Sequence, residues 1–316
     1  MRRSSARLPT SKAARRATPL EISKRQKRPI APSSGLTVTS SPLSGGEGSA
    51  TRRQKPRQQI FNGVGGQGSG GTVFVLTCEH GGNRIPAAYK ALFSGAQDVL
   101  DSHRGWDLGA LRVAESMASR LDTQLFSSKT SRLLVELNRS IGHPSLFSEF
   151  TTNRPMVERQ GIINRYWQPY RDQVTSHIDN LVQAGCRVVH LSIHSFTPIW
   201  ESRPRKTSIG LLYDPRRSGE KLLCDLWKRK LKQEFPGFVI HSNQPYKGIA
   251  DGFTTTLRRR FDLDVHWPGE YNGIEIEINQ SLIFPATGRR IHEIAHAICR
   301  SLTTCATALA SFREGS

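Results

Sequence analysis

Two histidines in this chain come close behind short apolar runs. His80 is the second residue after TVFVLTC (72–78), and His194 directly follows RVVHLSI (187–193). Between them, Asp107 stands at the start of a helical pattern. Two imidazoles and one carboxylate form a three-ligand set that leaves a fourth position for water, which is typical of catalytic zinc. Taken singly, His80 also fits a polar turn, and Asp107 also fits a helix cap.

A zinc site that activates water needs a general base, and the last predicted strand contains two candidates. Glu275 and Glu277 alternate within GIEIEIN (273–279), so they lie on one face of that strand. Carboxylates inside so apolar a run need partners, which makes a purely structural role costly. We favour Glu277, nearer the carboxyl end of the strand, and keep Glu275 as the weaker candidate.

A site for a substrate carboxylate is indicated by Asn138 and Arg139. They follow the apolar run LLVEL (133–137), which we interpret as another strand. An arginine at a strand end can form a two-pronged contact with a carboxylate. A surface ion pair is the alternative for Arg139.

The elements that must position these residues alternate between strands and helices. Such alternation predicts an α/β fold, a three-layer sandwich whose central sheet is mostly parallel and covered by helices on both faces. Ligands bind beyond the carboxyl ends of the strands in such sheets. The predicted strands are 72–78, 133–137, 187–193, 208–214, 238–243 and 273–279, and the predicted helices lie near 107–121, 158–184, 219–235, 248–261 and 289–312.

The first 70 residues differ in composition from the rest of the chain. They are rich in Ser, Arg, Pro and Gly, which predicts a disordered basic arm (1–70) ahead of a catalytic domain (71–316). Fourteen basic and two acidic residues give the segment 1–60 a charge of +12, out of +19 for the whole chain. The Gly63-x-Gly65-x-x-Gly68 motif in this arm precedes a strand instead of following one, so we interpret it as a flexible linker and not as a dinucleotide site.

A series of motifs after residue 78 resembles the N-formylglutamate amidohydrolase family. Seven motifs occur in the order of that family, which is far more specific than any one of them. They are EHGGNRIP (79–86), WDLGA (106–110), SRLLVELNR (131–139), RYWQPYRDQV (165–174), HSFTP (194–198), NQPYKG (243–248) and EIEINQSLI (275–283).

The resemblance implies an activity and a set of site residues. The family is similar in architecture to zinc-dependent exopeptidases and amidases, and it hydrolyses the linear N-acyl amide bond of an acylated amino acid such as N-formylglutamate. The small acylated amino acid would then be the substrate and Zn²⁺ the cofactor. The implied roles are zinc ligation by His80, Asp107 and His194, water activation by Glu277, polarisation of the carbonyl by Arg132, and binding of a substrate carboxylate by Asn138 and Arg139. Glu79 remains a rival to Asp107 as third ligand.

A competing zinc motif lies in the last predicted helix. His292-Glu293-Ile294-Ala295-His296 spells H-E-x-x-H, whose two histidines share a helix face and would indicate a metalloprotease. Only Glu314 follows it as an acidic third ligand. A polar face on a solvated helix explains the motif adequately.

Composition restricts the partners and the compartment. Five cysteines without a C-x-x-C pair argue against a disulfide framework and favour a reducing compartment, so we expect a cytoplasmic protein. An Arg- and Ser-rich start also fits an organellar transit peptide. No apolar stretch reaches the ~20 residues of a membrane helix. A nucleic-acid-binding protein that acts through the basic arm is the alternative function from another class. For an enzyme, we expect only nonspecific binding of nucleic acid through this arm.

Overall fold

A computed structural model describes residues 71–262, 264–285 and 287–314, with side chains up to residue 307. The predicted arm over residues 1–70 and its glycine motif lie outside the described residues. Within the described ranges, no helix combines the length and apolar character needed to cross a membrane.

The strands of the described residues form one central sheet and one separate hairpin. They are β1 (Thr72–Cys78), β2 (Leu125–Ser127), β3 (Arg187–Phe196), β4 (Ile199–Trp200), β5 (Arg203–Pro204), β6 (Ile209–Leu212), β7 (Ile240–Ser242) and β8 (Glu270–Asn279). The central sheet has six strands in the order β2-β1-β3-β8-β6-β7. Neighbouring strands in it run parallel, except that β6 is antiparallel to β8. The separate antiparallel hairpin consists of β4 and β5.

Helices cover both faces of the sheet. The helices are α1 (Gln97–Asp101), α2 (Ala110–Leu121), α3 (Met156–Ile162), α4 (Gln168–Gln183), α5 (Ser218–Glu234), α6 (Phe253–Arg260), α7 (Gln280–Ile283) and α8 (Gly288–Glu314), with a 3-10 helix at Ala87–Phe93 and a π-helical turn at Ile163–Trp167. Phe74 and Leu76 of β1 pack in one core with α2, α5 and α8, whereas Val75 packs in another core with α4 and α6. Because strand side chains alternate between faces, this burial on both sides confirms the predicted α/β class with a mostly parallel sheet.

One predicted strand is wrong. The run 133–137 is a buried turn, in which the Leu134 N–H donates to the Ser131 carbonyl at 3.0 Å and the Glu136 N–H donates to the Leu146 carbonyl at 2.9 Å. Its leucines and valine belong to a third core formed by loops and the helices around them. A short apolar run indicates that its residues are buried but not which element they form, so the sequence pattern could not distinguish a strand from a buried turn.

The other predicted elements are present with shifted ends. The central sheet also contains a strand that the sequence pattern did not predict, β2, which is only three residues long. The predicted helix 158–184 comprises α3, the π-helical turn and α4 in one run, Met156–Gln183. The largest displacement is at α6, which begins at Phe253 and not at 248.

A buried carboxylate holds the start of β8 against α5 and α6. Glu220 is fully buried, and its Oε atoms accept from Arg258 Nε at 2.9 and 3.1 Å, from the Asp214 N–H at 2.8 Å and from the Gly273 N–H at 3.0 Å. Removing one partner from a buried ion pair leaves the other charge uncompensated.

We expect Glu220→Gln to lower the free energy of unfolding by about 3 kcal/mol, measured by urea denaturation. The matched control is Asp225→Asn in the same helix, which breaks an exposed pair with Lys221. That change should cost less than about 0.5 kcal/mol. Equal losses in the two variants would contradict a special role for the Glu220 network.

Candidate metal centre and active site

The three candidate metal ligands are remote in sequence but meet at one edge of the sheet. His80 follows β1, and His194 lies near the end of β3, the strand beside β1. Because β1 and β3 are parallel, their carboxyl ends lie at the same edge. Asp107 precedes α2, and its N–H donates to the His80 carbonyl at 3.0 Å. All three side chains are buried.

Asp107 does not cap α2, the helix that follows it in the chain. The cap position is Gly109, whose φ of +82° places it in the left-handed region. A Cβ there would lie 2.9 Å from the Ile283 carbonyl oxygen, so the turn requires glycine. The turn directs the Asp107 carboxylate toward the histidines, with Oδ2 lying 3.3 Å from His80 Nδ1 and 2.9 Å from His194 Nδ1.

This donor set fits a divalent cation. Among the described residues, His80, Asp107 and His194 are the group whose ligand atoms could hold a metal, all within 4.8 Å of one another. Ligands about 2.0–2.1 Å from a tetrahedral zinc are about 3.3 Å apart, close to both distances from Asp107 Oδ2. Two nitrogens and one oxygen are also the donors that zinc takes in catalytic sites.

Each histidine has a second carboxylate on its other ring nitrogen. Glu136 binds His80 Nε2, and Glu79 lies 3.4 Å from His194 Nε2, which Ser192 Oγ also contacts at 2.8 Å. A carboxylate at Nε2 favours the tautomer that leaves the Nδ1 lone pair free for a metal. Glu79 thus lies on the side of the His194 ring away from Asp107.

Glu136 is the site residue that the sequence reasoning missed. A signal was present, because Glu136 is a carboxylate inside an apolar run, the same feature that drew attention to Glu275 and Glu277. Because 133–137 was interpreted as a strand, functional residues were expected at its end, at Asn138 and Arg139, and not within it at Glu136.

The charges in this cluster shift one another. Burial acts to raise the pKa of Asp107, but the neighbouring histidines and Arg132 hold it well below its usual range. For His194, burial acts to lower the pKa, yet hydrogen bonds and negative charge from Asp107 and Glu79 raise it well above its ordinary value. Negative charge from Glu136 and Asp107 likewise raises the pKa of His80 against burial and the charge of Arg132. The same negative charge favours a bound cation.

Glu277 lies next to this cluster. It pairs in register with His194 across β3 and β8, and Glu275 pairs in the same way with Ser192. Glu277 is buried, and among the described residues its Oε2 atom has no hydrogen-bond partner. Burial is the main reason that the pKa of Glu277 rises to about 8, followed by opposing effects of His194 and Asp107. An unpartnered buried carboxylate beside a metal-binding cluster has the placement that a general base requires.

Glu275 differs from Glu277 in its surroundings. It accepts a hydrogen bond from Thr254 Oγ1 at 2.9 Å and is only half-buried. Glu275 and Glu277 lie two positions apart in β8, so they share one strand face as expected. Their different environments favour Glu277 over Glu275 as the base.

Arg132 bridges two carboxylates of the cluster. Its Nε donates to Glu136 Oε2 at 2.7 Å, and its Nη1 donates to Asp107 Oδ1 at 3.2 Å. The side chain retains 29% of its exposure. These two negative partners raise its pKa against the effect of burial, so the guanidinium is a fixed positive charge at the mouth of the site.

A protein-family comparison decides the family. The family model described as N-formylglutamate amidohydrolase matches residues 72–284, more than half of the chain. The chain belongs to the N-formylglutamate amidohydrolase family. The resemblance inferred from its seven motifs is thus confirmed, and the reaction class is amide hydrolysis.

Two solved structures are similar to this chain in fold. A gene product from Agrobacterium tumefaciens is 29% identical, with a match that covers 75% of this chain and 91% of that chain at a TM-score of 0.64. The N-formylglutamate amidohydrolase from Ralstonia eutropha JMP134 is 23% identical and covers 76% of this chain and 94% of that chain at a TM-score of 0.51, which shows the fold alone. No curated protein matches the sequence.

The structure places Asn138 and Arg139 of this amidohydrolase-family chain differently from the strand end that the sequence predicted. Both belong to the loop after the buried turn. Asn138 Oδ1 accepts from the Phe253 N–H at 2.7 Å, and its Nδ2 lies 3.5 Å from His194 Nε2. Arg139 Nη1 donates to the backbone carbonyl of Asp251. Asn138 therefore reaches the histidine cluster, whereas Arg139 is engaged by the loop ahead of α6.

The H-E-x-x-H motif lies on the outer surface of α8. His292, Glu293 and His296 are exposed; His292 Nδ1 contacts Ser116 Oγ at 2.9 Å, and Glu293 pairs with Arg290 at 3.6 Å. Within the described part of the chain, no metal-capable group includes these residues. The geometry favours the solvated helix face and does not support the metalloprotease alternative.

Proposed function

We propose that this protein is a zinc-dependent hydrolase that cleaves a formyl-type N-acyl amide bond of a small acylated amino acid. The observation that carries the proposal is the convergence of His80, Asp107 and His194 on one buried point beside the unpartnered carboxylate of Glu277. Membership of an amidohydrolase family supplies the bond type. The catalytic domain would be residues 71–316, and we keep the cytoplasm as the expected compartment.

In this proposal His80, Asp107 and His194 hold the zinc. When bound, zinc lowers the pKa of water toward about 7 and polarises the amide carbonyl. Glu136 and Glu79 keep the two imidazoles oriented through their Nε2 atoms.

Glu277 moves the proton. It accepts a proton from water as the water oxygen bonds to the acyl carbon, and it then gives this proton to the amide nitrogen as the C–N bond breaks. Burial raises the pKa of this carboxylate, and the positive charges of His194, Arg132 and a bound zinc would act in the opposite direction, toward the ionised form that accepts the proton. Its unpartnered Oε2 atom leaves an acceptor free for that proton.

Arg132 stabilises negative charge on the carbonyl oxygen. Its guanidinium is anchored by Glu136 and Asp107 and still partly exposed, so it presents a fixed donor beside the reacting group. Asn138, next to His194, is proposed to contact the substrate, and Arg139 remains a proposed partner of a substrate carboxylate.

The test is a metal analysis followed by a substrate screen. Purified protein should contain about one zinc per chain by elemental analysis. A screen of N-acylated amino acids with the zinc-loaded enzyme should find turnover of N-formyl compounds. Protein that holds zinc but hydrolyses no N-acyl amino acid would contradict the proposed reaction, and protein that holds no metal would contradict the proposed site.

Glu136→Gln should weaken zinc binding by about 10- to 100-fold, because the amide removes the carboxylate that orients His80. The measurement is competition for zinc with a chelator of known affinity. The matched control is Glu149→Gln, since Glu149 is an exposed carboxylate paired with Arg104 away from the cluster. An unchanged zinc affinity in Glu136→Gln would remove this carboxylate from the metal site.

A further inference from the structure

One arginine near the site is held by aromatic rings and not by carboxylates. The guanidinium carbon of Arg205, directly after β5, lies 5.0 Å from the ring centre of Trp200 and 5.4 Å from those of Phe196 and Tyr246. Its Nη1 donates to Tyr246 Oη at 3.2 Å. We name these three rings the aromatic cage.

No ion pair of Arg205 occurs among the described residues, and its guanidinium is less engaged than those of Arg132 and Arg139. Arg132 binds Asp107 and Glu136, and Arg139 donates to the Asp251 carbonyl. One Arg205 N–H is used on Tyr246, whereas a guanidinium has five N–H groups. Its planar edge therefore retains donors for a ligand.

The aromatic cage is next to the metal-binding cluster along β3. Phe196 lies two residues after His194 on the same strand face, and it pairs with Asn279 just as His194 pairs with Glu277. Two residues of strand span about 6.6 Å. Asn279 Nδ2 donates to the Thr207 carbonyl at 3.0 Å and approaches the Arg205 carbonyl at 3.5 Å, so β8 also anchors this segment.

The charge of Arg205 acts on a histidine that the charges of Arg132 and Asp107 also affect. His103, whose ring meets Trp200 edge-on at 6.3 Å, has a lowered pKa. Burial is the main cause, followed by the positive charges of Arg104, Arg132 and Arg205, while Asp107 acts in the opposite direction. One imidazole thus senses both Arg205 and members of the cluster.

We propose that Arg205 binds a carboxylate of the substrate and thereby determines specificity for anionic N-acyl amino acids. Stacking on rings restricts the guanidinium without neutralising it, and a planar guanidinium matches a carboxylate with two parallel hydrogen bonds. Phe196 of the cage is about 6.6 Å along β3 from His194, so the cage lies within reach of a small substrate held at the cluster. This inference rests on the proposed function and adds to it the residue that selects charge.

The experiment compares Arg205→Gln with the wild type on three compounds: N-formyl-L-glutamate, its α-amide and its γ-amide. Arg203→Gln is the matched control, because Arg203 is an exposed arginine of the same hairpin. We expect kcat/KM of Arg205→Gln to fall about 100-fold on N-formyl-L-glutamate, mainly through KM. On the amide that lacks the carboxylate bound by Arg205, the two enzymes should agree within about 3-fold, which identifies that carboxylate.

Equilibrium binding of the same compounds, measured by calorimetry in the Glu277→Gln background, gives a readout that does not depend on turnover. If the wild type hydrolyses none of them but binding of N-formyl-L-glutamate still needs Arg205, the proposed reaction fails and the Arg205 assignment stands. Equal losses on all three compounds, or a loss no larger than in Arg203→Gln, would overturn the assignment. Arg205→Lys, which retains the charge, should recover part of the affinity, and failure to exceed Arg205→Gln would also count against it.

Discussion

Replacing Glu277 by glutamine is expected to lower kcat by about 10³-fold while the protein keeps its zinc. The amide occupies nearly the same volume as the carboxylate but cannot accept the proton of water. Glu277 is not one of the three side chains that converge on the metal position, so the ligands remain in place. The measurements are kcat on the best N-formyl substrate and the zinc content of the same preparation.

Glu275→Gln is the control for this prediction. Glu275 lies on the same strand face but is half-buried and hydrogen-bonded to Thr254 Oγ1, so we expect it to retain activity within about 10-fold. If Glu275→Gln lost turnover and Glu277→Gln retained it, the base would be Glu275.

Because Glu277 Oε2 is buried without a partner among the described residues, Glu277→Gln should also unfold no more easily than the wild type.

His194→Ala is expected to remove both the zinc and the activity. The change deletes the Nδ1 atom that lies 2.9 Å from Asp107 Oδ2 and leaves two of the three protein ligands. Zinc content should fall from about one per chain to below about 0.1, and turnover should fall with it. Elemental analysis and the same kinetic assay measure the two effects.

The matched control is His296→Ala on the surface of α8. His296 is exposed and takes no part in the buried cluster, so zinc content and kcat should both stay at wild-type values. Loss of zinc in His296→Ala with retention in His194→Ala would transfer the metal site to the H-E-x-x-H motif. Circular dichroism of both variants shows whether the fold is intact.

Much of the fold followed from local patterns. The alternation of β-branched runs with amphipathic segments was enough to predict a mostly parallel sheet covered on both faces, because those periodicities report which sides of an element are buried. The same patterns were insufficient at 133–137, where apolar side chains fill a core from a turn. They also missed β2, since three residues show no period.

Some residues of the candidate site could be predicted from the sequence, and others could be identified only from the structure. His80 and His194 could be picked out from the sequence because each comes at the end of a strand, where parallel sheets place their functional groups. Glu277 could be separated from Glu275 only by its environment: Glu277 is buried and its Oε2 atom has no partner among the described residues, whereas Glu275 accepts a hydrogen bond from Thr254. Asp107 and Glu79 were equally acceptable ligands by type until the turn at Gly109 directed one carboxylate to the Nδ1 atoms.

The sequence by itself determined the family, the layer architecture and the residue types available for metal and proton chemistry, because these depend on local periodicity and on motif order. Only the tertiary structure decided which carboxylate faces which imidazole nitrogen, that Glu136 belongs to the cluster, and that Arg205 lies in an aromatic cage. Such relations join residues as far apart as β1, β3 and β8, and they depend on strand register and loop direction. Those properties arise from packing across the whole domain and have no signature within a local window.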